Sequence, residues 1–294
     1  MNPARRGEAF WAVLMILPAV GGLALLVGLP TLGSFALSFT DWDLLGSPRW
    51  VGGANYAGLA QDPLFWRVLG QTFLFTALYV VLDVVLALGL ALALNQRIRG
   101  LALFRAAYFL PVVSSMVVGA ILWSWVFDPR FGVANAVLAA FHLGPVRWLQ
   151  DGRTALPALV VVSVWKNLGY DMLLFLAGLQ AVPTEQLEAA ALDGAGPWQR
   201  FRHITVPWIG PSLVLVGMMA TIRGFQTFDT VYLMTEGGPH RSTTLVGYWL
   251  FQNAFTYFKL GKASALAYVL FAVLAGLSAL QWAARRRLAH QEAP

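Results

Sequence analysis

VPTEQLEAAALDGAGPWQRFRHITVP, residues 182–207, stands between two long apolar runs, Ala155 to Gln180 and Ile209 to Met234. It reads in two halves. In the first, Thr184 is placed to cap a helix whose first turn carries Glu185, and acids there meet the positive helix end. Gly194 follows Asp193, a residue suited to the left-handed stop of a helix. Gly196 and Pro197 then supply a cap and a first helical residue for Trp198 to Ile204, and Pro207 interrupts before the next apolar run. The pattern predicts helix, glycine turn, helix, held between two membrane spans. Leu187, Ala190 and Ala191 would form a small apolar surface on it, either for another protein or as the inner face of an ordinary amphipathic connector.

Outward from this loop, runs long enough to cross about 30 Å of hydrocarbon, roughly 20 helical residues, recur along the chain. They cover residues 10–39, 72–94, 106–127, 155–180, 209–234 and 264–284. The expected fold is all-α: a polytopic membrane protein of six transmembrane helices, one membrane domain over residues 1–294. The first run is about 45 Å long at 1.5 Å per residue and carries Pro18 and Pro30, so it tilts, kinks or overhangs the bilayer. A signal peptide is the competing reading of Arg5 and Arg6 before an apolar stretch, but such stretches span only about 7 to 15 residues. Thr244 to Phe258, with Tyr248, Trp249, Phe251, Phe255, Tyr257 and Phe258, is too short to cross and suits an interfacial helix, as does Val133 to Phe141.

Composition agrees. Of 294 residues 58% are hydrophobic and 12% charged, about half the charged share of a soluble domain. The net charge of +6 therefore belongs at membrane ends, and a nucleic-acid binder is not expected. With no cysteine there is no disulfide framework or thiol chemistry, and the scattered His142, His203, His240 and His290 offer no zinc spacing. Arg5, Arg6, Arg97, Arg99, Arg105, Arg200, Arg202, Arg285, Arg286 and Arg287 fall in short tails and loops of one face. That face reads as cytoplasmic, with both termini on it.

Charges inside spans cost about 2.5–3.5 kcal/mol each at the centre, so Asp83, Lys166, Asp171, Arg223 and Asp229 each need a reason. On the fourth span Ser163, Asn167 and Tyr170 recur at helical spacing with Lys166 and Asp171; on the fifth Arg223, Gln226, Thr227 and Thr230 do so. Two facing polar strips make a wet path with donors and acceptors for hydroxyl groups, and Tyr170 or Phe225 would stack on a sugar ring. The other reading is interhelical glue, for example Asp83 paired with Lys166 or Arg223. Structure is the expectation for Asp83, Lys166 and Asp171, the pathway for Asn167, Tyr170, Gln226 and Thr227, and Arg223 suits either, since an anionic substrate would want it. Gly210, Gly217, Ala220 and Gly224 form a separate small-residue stripe, for close packing within the chain or against a second subunit.

Enzyme readings are weak. Ser163-Val164-Trp165-Lys166 matches a serine-x-x-lysine pattern, but it lies in an apolar span without the companion triplets. Gly261-Lys262 is not a phosphate-binding loop, because Ala263 follows and Thr256 stands where the first glycine belongs. An intramembrane hydrolase would need a histidine base within a span, and none lies there. No catalytic or metal residue is expected. A non-transporting scaffold would have no use for polar strips at mid-depth.

Glu188-Ala189-Ala190, then Gly194, then Ile204 and Val206-Pro207 resembles the EAA signature of permease subunits of bacterial binding-protein-dependent ABC importers, with valine where leucine is usual. Ser38-Phe39-Thr40-Asp41-Trp42, Asn55-Tyr56, Asp62-Pro63, Phe109-Leu110-Pro111, Phe127-Asp128-Pro129, Val164 to Tyr170, Phe228 to Tyr232 and Gly237-Gly238-Pro239 extend the resemblance to sugar permeases of the maltose and glycerol-3-phosphate type, on the side of the maltose-F-like partner. The resemblance implies a type I importer permease fold in the bacterial inner membrane. It implies a coupling helix docking a cytoplasmic ATPase through Glu188, Ala189, Ala190, Asp193 and Gly194, and a sugar site at Asn167, Tyr170, Gln226 and Thr227, to which the polar strips add Ser163 and Arg223 as pathway candidates. The implied partners are a second permease subunit in a heterodimer, two ATPase subunits, an extracytoplasmic sugar-binding protein and membrane lipid. No cofactor sits in this chain, ATP and Mg being bound by the ATPase. A sugar phosphate or polyol such as glycerol 3-phosphate is the alternative cargo. The chain lacks the extra N-terminal spans and large periplasmic insertion of the maltose permease itself, so maltose is not implied.

Overall fold

The computed structural model describes residues 3–96 and 100–291, and side chains over 11–96 and 100–283. Of the arginines read as cytoplasmic, Arg97 and Arg99 lie outside the described residues, and Arg5, Arg6, Arg285, Arg286 and Arg287 outside the described side chains. Helices follow one another as α1 (Pro3–Leu23), α2 (Leu29–Leu37), α3 (Ala54–Gln61), α4 (Pro63–Leu94), α5 (Leu101–Val113), α6 (Met116–Val126), α7 (Val133–Ala140) and α8 (Ala155–Gln180). Then come α9 (Thr184–Leu192), α10 (Pro197–Arg200), α11 (Val206–Trp208), α12 (Gly210–Phe225), α13 (Asp229–Met234), α14 (Val246–Phe251) and α15 (Leu260–Gln291). A short antiparallel pair, β1 (Thr40–Asp41) and β2 (Arg49–Trp50), joins Thr40 to Trp50 and Asp41 to Arg49.

Among the described residues four stretches are long and apolar enough to cross a membrane unaided: Trp11–Leu37, Pro63–Leu94, Ala155–Gln180 and Leu260–Ala283. The third and fifth expected spans are instead broken. Leu101–Val113 and Met116–Val126 meet at 102°, and Pro197–Trp208 and Gly210–Phe225 at 68°; six spans result when each bent pair counts as one. The expected run 209–234 is also interrupted beyond Phe225, with α13 starting afresh at Asp229. The second span begins at Pro63 rather than at residue 72, and the sixth at Leu260 rather than 264.

Prolines account for two irregular turns. Pro30 and Pro207 lack the N–H that would bond residues 26 and 203, and their rings press on those carbonyls. In both places the helix widens into a π turn, Ala24–Gly28 and Phe201–Thr205, which takes up the misfit. The break between α5 and α6 follows Pro111: Ser114 and Ser115 are extended, and the Ser115 hydroxyl accepts the Val117 N–H at 3.3 Å as a new helix cap.

The chain forms two compact units, one from residues 1–63 and 250–271, the other from 64–249 and 272–294. In the first, Asn55 Nδ2 donates to the carbonyls of Ser38 at 2.9 Å and Thr40 at 2.8 Å, Tyr56 donates to Ser38 Oγ at 2.7 Å, and Lys262 pairs with Asp62 at 3.1 Å. Ser38, Thr40, Asn55, Tyr56 and Asp62 belong to the motifs that follow the first span, and their work is to fix the turn there. At the hairpin tip, the Leu45 and Gly46 N–H groups donate to Asp43 Oδ1 at 3.1 and 3.2 Å and hold its carboxyl below the usual carboxylate range.

In the second unit two apolar clusters stack along α8. One gathers Phe75 and Tyr79 of α4, Leu159, Val160 and Val164 of α8, Ala220 and Val231. The other joins Ala87 and Ala91 to Met172, Phe175, Leu176, Ile209 and Val216. Close approach needs glycine at one site above all: a Cβ on Gly169 would run into the Tyr108 carbonyl of α5.

Candidate functional site

Between the two apolar clusters lies polar ground. A cavity of about 300 Å³ is lined by Tyr79, Met116, Ser163, Lys166, Asn167, Arg223, Gln226, Thr227, Phe228, Asp229 and Thr230. Ser163, Lys166 and Asn167 come from one face of α8, at helical spacing. Arg223 ends α12, while Gln226, Thr227 and Phe228 form the break before α13, so their positions depend on irregular backbone and not on the helical strip expected for them. Five of the six residues expected on a pathway, Ser163, Asn167, Arg223, Gln226 and Thr227, thus meet around one space. Tyr170 does not line it; its ring lies under Arg223, 5.7 Å from the guanidinium carbon.

The charges in this region have identifiable jobs. Lys166 Nζ donates to the carbonyls of Pro111 at 2.7 Å, Val112 at 3.1 Å and Ser114 at 2.6 Å. These carbonyls lie where α5 stops, the Pro111 one accepting from the Ser114 N–H and hydroxyl as well, and a cation is favoured at that negative helix end. Arg223 Nη2 pairs with Asp171 Oδ2, whose side chain is 0% exposed against 23% for the arginine. The pairing of Asp83 with Lys166 or Arg223, expected as glue, is therefore replaced by Asp171–Arg223 and by Lys166 on backbone. Asp83 is buried beside Asp171 and Arg223. Its two oxygens, with Tyr79 Oη, Asp171 Oδ1 and Arg223 Nε, are buried without hydrogen-bond partners.

At the other end of α8 the 182–207 loop folds as helix, glycine turn, helix. Gly194 takes φ +85°, the conformation that favours glycine. Gln199 Oε1 accepts the Gly196 N–H at 2.9 Å and steadies the start of α10. Two details depart from expectation. Pro183 holds the cap position, Thr184 is the first helical residue, and no side chain caps α9. Leu187 also turns inward onto the apolar cluster of α8. The outward apolar groups are Leu192, 90% exposed, and Trp198, 68% exposed. Glu188, Ala189, Asp193 and Gly194 are exposed as well, and Ala190, Asp193 and Gly194 border a cleft of about 380 Å³ with Gln199, Arg200 and His203.

Residues 84–286 match the model of a protein family described as the binding-protein-dependent transport system inner membrane component. The chain belongs to this family. The permease is 35% identical over 269 residues to the sulfoquinovosyl glycerol transport system permease protein SmoG of Agrobacterium fabrum, covering 91% of this chain and 87% of that one. It is 33% identical over 271 residues to the trehalose/maltose transport system permease protein MalF of Thermococcus litoralis, covering 91% and 90%. Its fold superposes with a TM-score of 0.82, at 22% identity and over 96% of both chains, on a bacterial ABC transporter involved in the import of the acidic polysaccharide alginate. The permease is accordingly a multi-pass inner-membrane transport component with an importer permease fold, and not an enzyme.

Sequence reading missed Tyr79, Met116 and Phe228 at the cavity of the permease. Tyr79 and Asp83 stand four apart on α4 and share a face with Thr72 and Thr76 at helical spacing, a signal the sequence carries. The small-residue stripe of the fifth span splits in two. A Cβ on Gly224 would come within 2.8 Å of Thr76 on α4, so this glycine serves packing inside the chain, whereas Gly210 and Gly217 meet nothing within 4 Å.

Proposed function

We propose that this chain is one permease subunit of an ATP-driven importer for carbohydrates, forming half of the translocation path. The observation that carries the reading is the cavity on the α8–α12 face, where Ser163, Asn167, Gln226, Thr227 and Thr230 offer neutral donors and acceptors. Sugar hydroxyls need such groups on all sides, and Phe228 supplies an apolar ring face beside them. Trehalose and maltose, the sugars in the name of one relative, fit this chemistry.

Coupling is assigned to the loop 182–207. Exposed Leu192 and Trp198 flank Glu188, Ala189, Ala190, Asp193 and Gly194, and paired large apolar groups on an otherwise polar loop suit a protein groove. In this reading the loop docks on a cytoplasmic ATPase subunit that binds ATP and Mg, and this chain holds no cofactor. A second permease subunit carries a second loop, an extracytoplasmic binding protein delivers the sugar, and both termini are cytoplasmic. ATP binding draws the two loops together and shifts the bundle from inward-open to outward-open; hydrolysis resets it.

The test is purification of the tagged chain from its native membranes in mild detergent, with mass spectrometry of what remains bound. An ATPase and a second six-span subunit are expected, and Leu192→Asp with Trp198→Asp should lose the ATPase while keeping the second permease. Retention of the ATPase by that double variant would refute the docking role. Gln226→Leu should weaken uptake without lowering assembly.

A further inference from the structure

The cavity wall contains two cations and one acid among its described residues, Lys166, Arg223 and Asp229. All three N–H directions of the Lys166 ammonium are matched by backbone carbonyls. Arg223 is held from behind, its Nη2 on Asp171 and its Nε buried, away from the open space. Asp83 adds a second buried carboxyl next to that pair. Asp229, by contrast, is exposed at the wall.

An arginine recognises a carboxylate or phosphate best with its planar fork turned toward it. Here one arm of the fork, Nη2, is committed to Asp171, a carboxylate that is itself fully buried, where the attraction is weakened less than in water. We propose that Asp171, which does not line the cavity, sets the charge preference of the path: by holding Arg223 it leaves a wall that admits uncharged sugars and turns away anionic ones. The proposal rests on the reading of the cavity as a sugar path, and Asp171 acts in it as a positioning residue. An anionic sugar would have to take Arg223 from Asp171 and pass the exposed carboxylate of Asp229. With the Asp171 charge removed, the guanidinium is available to the cavity, and the preference should move toward anions.

The experiment uses the permease purified from its native membranes with its bound partners. Affinities for maltose, trehalose and raffinose, and for digalacturonate and glucose 6-phosphate, are measured by calorimetry. Hydrogen exchange over residues 163–167 and 223–228 locates the binding. Wild type should favour the uncharged set, and Asp171→Asn should move the anionic-to-neutral affinity ratio by about tenfold toward the anions. Asp171→Glu, which keeps the charge, should restore the wild-type ratio. Asp171→Asn leaves a guanidinium without its counter-charge, which strains folding, whereas the double variant Asp171→Asn with Arg223→Gln removes both charges, a change that buried pairs tolerate; it should gain no affinity for the anions. An unchanged ratio in Asp171→Asn, or a wild type that prefers the anions, overturns the inference while sugar protection of the two segments leaves the path standing. Absence of protection by every sugar in wild type overturns the path reading, and the inference with it.

Discussion

Lys166→Met removes three hydrogen bonds at one stroke without changing the length of the side chain greatly. The ammonium lies 2.7, 3.1 and 2.6 Å from the carbonyls of Pro111, Val112 and Ser114. Methionine has no donor for them. Hydrogen bonds between membrane helices average about 0.6 kcal/mol and reach about 1.7, so three give about 2 kcal/mol, rising toward 5 if each is at the upper end. The lower end is favoured because Lys166 also lines the cavity, where water replaces part of what the ammonium supplied. At about 2–4 °C per kcal/mol for a chain approaching this size, the purified protein should melt about 4–8 °C lower. The loss should be local as well as global. Amide exchange at Met116 to Gly119, the first turn of α6, should speed up more than in the second half of α8, since the corner between α5 and α6 loses its anchor. Lys166→Arg should recover only part of this, because a planar fork does not fit three carbonyls converging on one point. Melting within 1 °C of wild type, about the width of the measurement, together with unchanged exchange at the corner, would refute the anchoring role.

Two further outcomes follow from single contacts. Gly169→Ala drives a methyl group into the Tyr108 carbonyl of α5, backbone that cannot turn aside, and should cost about 1–3 kcal/mol, read as a lowered melting temperature; Gly217→Ala, with nothing within 4 Å, is the control. The Asp43 turn should be sensitive to acid. Its carboxyl is held below the ordinary range by the Leu45 and Gly46 N–H groups, so its contribution is complete above the unfolded value of about 3.9 and fades as the pH falls through the lower folded one. Amide protection at Leu45 and Gly46 that stays constant from pH 5 to about 2.5 would contradict this.

Much of the architecture is legible in composition and spacing. Ala155–Gln180 forms a helix over the expected residues, because a run of apolar residues bounded by Thr154 and Pro183 leaves the chain no cheaper arrangement in lipid. The glycine turn at Gly194 is legible for a similar reason: few other residues accept φ +85°. Apolar runs do not reveal corners, however. Residues 106–127 read as one span, and the 102° bend at Ser114 and Ser115 depends on Lys166, more than 50 positions away in sequence, taking up the carbonyls that the bend exposes. Long-range pairings of this kind are invisible to periodicity. Asp171 and Arg223 show the same limit: each stands out as a charge in an apolar segment, but which carboxyl the guanidinium would choose is decided by how α8 and α12 pack.

The breaks themselves bear on what the cavity is. Lipid tolerates irregular backbone at membrane depth only where protein buries it or where it borders water. Two of the interruptions in the second unit, Ser114–Ser115 and Gln226–Phe228, reach the same cavity, through Met116 and through the break residues themselves, whereas the 68° bend before Gly210 does not. One is satisfied by Lys166; at the other, Thr227 Oγ1 donates back to the Arg223 carbonyl at 3.0 Å, and exposed Gln226 lines the cavity. A bundle built only to hold together would gain by continuing both helices, since an unbroken helix satisfies its own backbone and needs no ammonium at a corner. Interrupting two helices at one level, and lining the gap with hydroxyl and amide groups, gains something only if water and a hydrogen-bonding solute occupy it. The scaffold reading does not explain that convergence; a transport path does.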